Sequence, residues 1–437
     1  MAVSGRFVIA LAVGIIPLVV FGEAWALAAW VLLVVILAAL DLLIAASPRQ
    51  ITVSRNLPAR VRLGETVRAD AILTNHGRRT LRGIVRDAWQ PSAGALATRR
   101  PVRIPGQERR TISTTLTPFR RGERQSAALT IRSRGPLGLA ARQATIVAAG
   151  SIRVLPPFNS RKHLPSRLAR LRELDGRTSV LIRGQGTEFD SLREYVRGDD
   201  VRSIDWRATA RRTDPVQGGP GLVVRTWRPE RDRRVVVLID TGRTSAARID
   251  NEPRIDTAFE STLLLAALAS RAGDRVDVVA FDQRVRGRVQ GATGADLMSR
   301  LVDTMAGIDP ELIETDWSAV PGVVRSITSQ RALVVLATSI DSPGTARGLL
   351  AVLPQLTRIH TVLVSSVTDP AIFDAVSQRG NRSELYRAAA AERALLDITR
   401  VSTAIRQLGG EVVTASPSEL PPALADRYIA LKAAGRL

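Results

Sequence analysis

The chain contains no cysteine and only three histidines among its 437 residues. The absence of cysteine excludes disulfide bridges, thiolate zinc sites and cysteine nucleophiles. His76, His163 and His360 lie far apart, and none has a second histidine at the spacing that a zinc site needs. No phosphate-binding GxxxxGKS/T loop and no paired nucleophile and base occur. The sequence therefore predicts a protein that is not an enzyme and has no catalytic residues.

Lysine and aromatic residues are also scarce, although the net charge is +21. Only two lysines are present, so almost all of the positive charge is arginine. The arginines are spread along the chain, and no basic helix or aromatic stacking platform stands out, so nucleic acid is not an expected partner. Attraction to an anionic membrane leaflet fits this distribution better. A hydrophobic content of 45% is enough for large cores and excludes wholesale disorder.

Two apolar runs open the chain, over 7–21 and 25–46. The second is long enough to span a hydrocarbon core of ~30 Å, and Pro17 in the first is tolerated in a membrane helix. We therefore expect two transmembrane helices within residues 1–48, joined by a polar turn at Gly22-Glu23. A cleaved signal peptide is the rival interpretation, but the second run is a full span without a clear cleavage site.

Positive charge flanks the outer ends of both runs and is absent from the turn between them. Arg6 precedes the first run, and Arg49 and Arg55 follow the second. The positive-inside rule thus predicts a multi-pass protein of the cell membrane with its large C-terminal part in the cytoplasm. Asp41 within the second run is costly in lipid. We expect it near the cytoplasmic interface, with a helix–helix contact as the alternative.

The remaining sequence changes its periodicity twice. Short alternating segments separated by turn residues over 49–156 predict an antiparallel β-sandwich with a structural or interaction role. Residues 157–232 are interpreted as a linker. Apolar strands alternating with helices over 233–437 predict a doubly wound, Rossmann-type α/β domain, whose ligands would bind beyond the carboxyl ends of the strands. The predicted fold class is thus multidomain: a transmembrane hairpin, a β-sandwich and an α/β domain.

The most distinctive segment is 186–211, in which opposite charges alternate every few positions with single aromatic residues between them. One interpretation is a buried ion-pair network, packed by aromatics such as Phe189, that fixes the geometry between the sandwich and the α/β domain. The other is a docking surface for a protein partner. We favour the first. The candidate interaction residues are Glu188, Arg193, Tyr195, Asp199, Asp200, Arg202, Asp205, Trp206 and Arg211.

This segment resembles the signature of the bacterial domain-of-unknown-function family 58, and the resemblance covers nearly the whole chain. Arg120-Arg121-Gly122 and Gly135-Pro136-Leu137-Gly138-Leu139 also resemble phrases of that family. The resemblance implies that the α/β domain is von Willebrand factor A-like (vWA-like). It also implies work alongside an AAA+ ATPase of the MoxR type, in chaperone-like assembly or envelope-related processes.

The same resemblance implies a metal site built on an Asp-x-Ser-x-Ser loop, a threonine on a second loop and an aspartate on a third. Asp240 and Thr244 match the first and last positions of that loop, but Gly242 replaces the middle serine. Thr315 is the candidate on the second loop, and Ser339 stands where the third loop would carry its carboxylate. Because hard-cation affinity depends on carboxylate count, we expect a degenerate site at Asp240, Thr244 and Thr315. Mg²⁺ binding would then be weak or lost, and no other cofactor is expected.

These observations together predict a membrane-anchored, non-enzymatic interaction or scaffold protein that works with a MoxR-type AAA+ ATPase. A metal-dependent vWA-type ligand-binding or adhesion protein is the alternative. A basic scaffold that binds anionic lipid or nucleic acid is a second alternative. The client, the pathway and the oligomeric state stay open at this stage.

Overall fold

The structure is a computed structural model that describes residues 2–181, 188–196, 199, 201–211, 222–228, 233–250 and 252–437. Residues 175–181, 188–191 and 226–228 are described by their backbone alone. The chain divides into two compact units, Met1–Pro157 and Phe158–Leu437. Each unit is treated by itself.

The first unit begins with a short strand and three α-helices and continues as strands, with short 3-10 helices at Pro48–Gln50 and Pro91–Ala93. Its elements are β1 (Ala2–Val3), α1 (Gly5–Ala12), α2 (Ile15–Phe21), α3 (Ala24–Ile44), β2 (Ile51–Asn56), β3 (Arg60–Arg62), β4 (Val67–Asn75), β5 (Leu81–Trp89), β6 (Arg99–Ile104), β7 (Arg109–Leu116), β8 (Gly122–Arg134) and β9 (Ala140–Leu155).

Two sheets form a sandwich in this unit, which is the arrangement that the alternation over 49–156 predicts. One sheet runs β1-β9-β8-β5-β6, with β3 added parallel to β9, and the other runs β2-β4-β7. Alternate side chains of both sheets meet in one buried cluster that includes Leu73 from β4 and Leu81 and Ile131 from the larger sheet. Because successive strand residues point to opposite faces, the polar residues between them face outward.

The apolar N-terminal helices form a hairpin. Among the described residues, one helix is long and apolar enough to cross a membrane: it begins at Ala24, and its apolar window has a mean hydropathy of 2.8 with 11% of it buried. Helices α1 and α2 are also apolar, but together they provide only about 25 Å of helix, which is less than the ~30 Å thickness of the hydrocarbon core of a bilayer. The structure therefore supports one spanning helix, where the sequence predicts two. Trp30 Nε1 of α3 donates to the Ala10 carbonyl at 2.8 Å, and a side chain at Gly14 would collide with Trp30.

The second unit alternates strands and helices. Its elements are α4 (Leu164–Leu181), β10 (Glu188–Glu194), α5 (Trp206–Arg211), β11 (Val223–Arg228), β12 (Arg234–Asp240), β13 (Arg248–Ile249), β14 (Glu252–Pro253), α6 (Arg254–Arg271), β15 (Arg275–Phe281), β16 (Val285–Val289), α7 (Gly294–Ala306), α8 (Val320–Ile327), β17 (Leu333–Ala337), α9 (Arg347–Thr357), β18 (Thr361–Val367), α10 (Pro370–Ser377), α11 (Arg382–Gln407), β19 (Glu411–Ala415) and α12 (Leu420–Ala433).

A six-stranded sheet forms the centre of this unit, in the order β16-β15-β12-β17-β18-β19. All pairs are parallel except the edge pair β15/β16, which is antiparallel. One face of the sheet, including Val236, Leu336 and Val364, packs in a cluster with residues of α8, α9 and α11. Helices α6 and α12 contact the same strands and each other. Both faces of β12 are buried, which is why its sequence is an uninterrupted apolar run.

Residues of the predicted linker carry regular structure. Helix α4 lies in the predicted linker and contacts α6 and α12. Arg167 and Arg170 of α4 form ion pairs with Asp426 of α12 at 2.7 and 3.0 Å. Farther along, β10 and β11 form an antiparallel pair. The described part of 158–228 thus contributes the α-helices α4 and α5 and a two-stranded sheet to the second unit.

Candidate functional site

The first candidate site lies at the carboxyl end of β12, the strand that ends with Asp240. Asp240 is buried, and each of its carboxylate oxygens accepts two hydrogen bonds. Oδ1 accepts from the Gly242 backbone N–H at 2.8 Å and from Thr315 Oγ1 at 2.5 Å. Oδ2 accepts from Thr338 Oγ1 at 2.7 Å and from Thr244 Oγ1 at 3.3 Å. The three residues of the predicted degenerate site therefore lie together, with Thr338 added to them.

Gly242 explains how Thr315 comes so close to Asp240. A Cβ at position 242 would collide with Thr315 Oγ1 and would lie 3.1 Å from Asp240 Oδ1. A serine at this position would therefore push the threonine hydroxyl away. The glycine removes a potential oxygen ligand and at the same time allows a direct hydrogen bond to the carboxylate.

The third loop presents a different residue from the one that the family pattern implies. Thr338 reaches Asp240, whereas the buried Ser339 Oγ has no hydrogen-bond partner within the described part of the chain. The site thus offers one carboxylate and three hydroxyl groups. No group of three or more His, Cys, Asp or Glu side chains that could hold a metal is present among the described residues. This donor set does not fit tight binding of a hard dication, which favours several carboxylates.

A second buried carboxylate lies on the neighbouring strand end and was not among the sequence candidates. Asp282 follows β15 and is fully buried; Oδ2 accepts from Arg286 Nε at 2.5 Å and from Thr241 Oγ1 at 3.0 Å. Oδ1 accepts from the backbone N–H groups of Gln283 and Arg284. Burial raises the pKa of Asp282, but these hydrogen bonds, led by that of Arg286, outweigh burial and hold the pKa below its usual range. The sequence could have indicated Asp282 as a site residue, because it directly follows an apolar strand.

The loop before α8 lies over these strand ends. The backbone N–H of Glu311 donates to the Thr241 carbonyl, and the Arg243 N–H donates to the Ile313 carbonyl. Arg243 also pairs with Glu314 at 2.5 Å. Leu312 in this loop is 76% exposed. The rim of the site is therefore a charged loop that presents one large apolar side chain to solvent.

The second candidate site is the segment 186–211, of which Asp200 and the side chain of Glu188 lie outside the described part. Arg193 pairs with Asp199 at 2.6 Å, and Asp199 Oδ2 also accepts from the Val196 N–H. Tyr195 is half-buried, and its N–H donates to the carbonyl of Leu222, the residue before β11. These contacts hold the end of β10 against the start of β11.

Asp205 organises the other end of the segment. Its Oδ1 accepts from the N–H groups of Arg207 and Ala208 at the start of α5, and its Oδ2 accepts from Arg225 Nε at 2.8 Å. The hydrogen bond from the Ala208 N–H and the contact with Arg225 lower the pKa of Asp205. Arg225 lies on β11, outside the predicted segment, so the sequence offered no reason to select it.

The charge pairs that are described in this segment are partly exposed to solvent. Arg193 and Asp199 are 36% and 21% exposed, and Arg225 and Asp205 are 46% and 13% exposed. Trp206 is 68% exposed and therefore does not pack a charge network. Arg202 and Arg211 are also exposed.

Comparison with known proteins identifies a family for the region that holds both sites. Residues 191–406 match the family described as "Protein of unknown function DUF58". This range begins within β10 and ends near the end of α11. It includes the ion pairs of Asp199 and Asp205. It also includes Asp240 and the three threonines that donate to it, Thr244, Thr315 and Thr338.

Relatives cover only part of the chain and of their own lengths. The uncharacterized protein Rv1480 of Mycobacterium tuberculosis and the uncharacterized protein Mb1516 of Mycobacterium bovis are each 26% identical over 193 residues, which are 44% of this chain and 57% of theirs. Protein NorD of Brucella abortus is 33% identical over 132 residues, 28% of this chain and 21% of its own.

Solved structures give only a weak likeness. The CARDB domain of the PF1109 protein from Pyrococcus furiosus shares 16% identity, covers 26% of this chain and 91% of that domain, and has a TM-score of 0.19. A PapD-like domain of human CEP192 shares 12% identity, with 24% and 84% covered and a TM-score of 0.17. Scores this low support no conclusion about the fold.

Proposed function

Because the chain belongs to the DUF58 family, we propose that it is a membrane-anchored, non-enzymatic interaction protein whose second unit docks a protein partner. In this proposal the α/β domain is vWA-like, and the partner is an AAA+ ATPase of the MoxR type. Both assignments rest on the family resemblance. The geometry supports the more general part of the proposal, which is that the second unit offers a surface for another protein.

The exposure of Trp206 is the observation that carries the proposal. Four charged groups near it form ion pairs, Arg193 with Asp199 and Asp205 with Arg225 of β11. Four large apolar side chains of the segment, in contrast, face solvent, and they are Leu192, Val196, Val201 and Trp206. Exposed apolar groups set among polar residues are typical of protein interaction sites, and tryptophan is enriched among the residues that dominate binding energy.

Affinity purification of the full-length protein from membranes tests the proposal. A Trp206→Ala variant removes the exposed ring and leaves the described ion pairs in place. Phe119→Ala is the matched control, because Phe119 is an aromatic residue of similar exposure, 66%, in the first unit. We expect Trp206→Ala to weaken partner retention about 30-fold, as for a hot-spot residue of about 2 kcal/mol. Phe119→Ala should retain the partner.

Two results would contradict this proposal in different ways. If no ATPase co-purifies with the wild type, the assignment of a MoxR-type partner is wrong. If a partner binds but Trp206→Ala retains it as well as Phe119→Ala does, docking does not occur at this segment. The melting temperatures of both variants show whether a loss of binding reflects a loss of folding.

A metal-dependent ligand-binding protein is the second candidate, because Asp240, Thr244, Thr315 and Thr338 converge at the strand ends. Calorimetric titration of the full-length protein with Mg²⁺ and Mn²⁺ separates the two candidates. We expect no micromolar binding, since the single carboxylate already accepts four hydrogen bonds. Micromolar binding that Asp240→Ala abolishes would favour the metal-dependent protein.

The proposal also includes the topology of the anchor, in which the hairpin enters the membrane from the cytoplasmic side. Two contacts support a common side for both ends of the hairpin. Strand β1 pairs with β9, so the start of the hairpin is attached to the sandwich. The end of α3 is attached to the same unit through Asp41, which accepts from the N–H groups of Leu137, Leu139 and Ala140. In this proposal α1 and α2 together form a second crossing, which their shorter length would accommodate by local thinning of the bilayer. The turn at Gly22-Glu23 would then lie toward the opposite membrane surface, as the positive-inside rule indicates.

A further inference from the structure

A polar cavity of about 460 Å³ lies in the first unit where the apolar helix α3 ends. Its lining starts at Ala45, Ala46 and Ser47, immediately after the last residue of α3, and continues through the turn between β4 and β5 and through β9. The residues that matter for its chemistry are Arg78, Arg79 and Arg142.

The arginines of this cavity are positioned without being neutralised. Arg142 Nε donates to the Leu42 carbonyl at 2.9 Å, and Arg79 Nη1 donates to the Leu43 carbonyl at 2.7 Å. These carbonyls belong to the last turn of α3, where no following helical N–H group is available to donate to them. Arg78 is exposed. None of the three arginines has a carboxylate partner among the described residues, so their charges remain available to an anion.

Asp41, one turn before the end of α3, faces the loop before β9 and, within the described part of the chain, forms no ion pair with the arginines of the cavity. Both of its oxygens accept from backbone N–H groups of the loop that includes Leu137 and Leu139. Over the whole unit, residues 1–157 contain 22 arginines and seven acidic residues. The resulting charge of +15 is most of the +21 of the chain, although this unit is little more than a third of its length. An anion near the cavity therefore meets a strongly positive field.

Location and chemistry together point to one class of ligand. The end of an apolar spanning helix lies at the level of the lipid headgroups. A guanidinium group presents several N–H donors in a planar fork that matches phosphate oxygens. The cavity lining contains no Phe, Tyr or Trp on which a nucleotide base could stack. We propose that this cavity binds the phosphate group of an anionic phospholipid, and so ties the anchor to anionic regions of the membrane.

This proposal requires anchoring by α3 but not the docking function of the second unit. It is tested with the full-length protein in neutral detergent, by counting retained lipid in native mass spectrometry during titration with phosphatidylglycerol or phosphatidylcholine. Arg78→Gln is the informative variant, since the Arg78 side chain makes no described hydrogen bond that the fold would lose. Arg82→Gln is the matched control, because Arg82 is an exposed arginine of β5 outside the cavity lining.

We expect the wild type to retain phosphatidylglycerol in preference to phosphatidylcholine. Arg78→Gln should weaken this retention about fivefold, the usual effect of one basic residue at an anionic membrane surface, and Arg82→Gln should leave it unchanged. Trp206→Ala should also leave it unchanged, which separates this site from partner docking. Melting temperatures in neutral detergent confirm that the variants are folded.

Several results would overturn the proposal. Equal retention of both lipids, or equal losses in Arg78→Gln and Arg82→Gln, would mean that no defined headgroup site exists. Displacement of phosphatidylglycerol by millimolar inorganic phosphate would assign the cavity to free phosphate instead. Binding of a single-stranded RNA that is weakened by Arg78→Gln but not by Arg82→Gln would assign it to nucleic acid.

Discussion

The contact between Asp41 and the loop before β9 gives the sharpest quantitative prediction. Asp41 is fully buried, and its oxygens lie 2.9, 2.8 and 3.0 Å from the backbone nitrogens of Leu137, Leu139 and Ala140. Asp41→Asn keeps the shape of the side chain but removes its charge and replaces one acceptor oxygen with an N–H₂ donor. At least one of the three hydrogen bonds is then lost, and the others become neutral.

The magnitude follows from the kind of hydrogen bond that is lost. A hydrogen bond to a charged group contributes about 1.5–3 kcal/mol net, against about 1 kcal/mol for a neutral one. We therefore expect the free energy of opening this loop to fall by about 2–3 kcal/mol. Amide hydrogen exchange over 137–140 should accelerate about 30- to 150-fold in the variant. Hydrogen-exchange mass spectrometry of the full-length protein in detergent measures this directly.

The controls for this experiment are on the same helix and in the same loop. Glu23→Gln makes the same chemical change at the exposed start of α3, and exchange over 137–140 should not respond to it. Gly135→Ala should reproduce the effect of Asp41→Asn, because a Cβ at position 135 would collide with the side-chain and backbone oxygens of Asp41. Unchanged exchange in both Asp41→Asn and Gly135→Ala would refute the conclusion that this contact holds the loop.

Three further predictions concern stability and topology. Asp87→Asn removes the negative charge that pairs with Arg55, and the two side chains of this pair are only 5% and 6% exposed. The free energy of unfolding measured by urea denaturation should therefore fall by about 3–5 kcal/mol. A loss below about 1 kcal/mol would contradict this prediction. Burial lowers the pKa of His360, so the folded protein keeps this imidazole neutral while the unfolded chain takes up a proton below its usual pKa near 6.5. The melting temperature should therefore fall as the pH drops from about 7.5 to about 5.5, and less so in His360→Gln; parallel curves would refute the assignment to His360. The chain has no cysteine, so Glu23→Cys places a single thiol at the hairpin turn; a membrane-impermeant maleimide should label it on intact cells, and labelling only after permeabilisation would refute the proposed orientation.

Local sequence patterns predicted the strands of the sandwich and of the α/β domain. The apolar run Val235–Ile239 predicts a strand covered on both faces, and all five side chains are buried. Alternation over 49–156 predicts strands with one buried face, and the sandwich core is made of those alternate residues. The hydrophobic period reflects which side of each element is excluded from water, and this is a local property of the sequence.

The residues of the candidate site were predictable only in part. Asp240 follows a buried strand, which is where ligands of such sheets bind. On the third loop Thr338 contacts Asp240, and the sequence offered no reason to select it over the neighbouring Ser339. Successive residues leaving a strand point in different directions, so a spacing pattern alone does not say which of two neighbouring hydroxyls reaches a site. Trp206 gave no sign in the sequence that its ring would face solvent.

By itself, the sequence determined the class of three segments: an apolar N-terminal segment, a set of half-buried strands and an α/β alternation. It also determined the family, through the charge pattern of 186–211. Only the tertiary structure decided which charged groups meet. Asp41 finds its partners nearly 100 residues later in the chain, at 137–140, and Asp205 finds Arg225 on another strand. Hydrophobic burial can be predicted from the spacing of neighbouring residues. A hydrogen bond between distant segments depends instead on distances that are set only when those segments pack together.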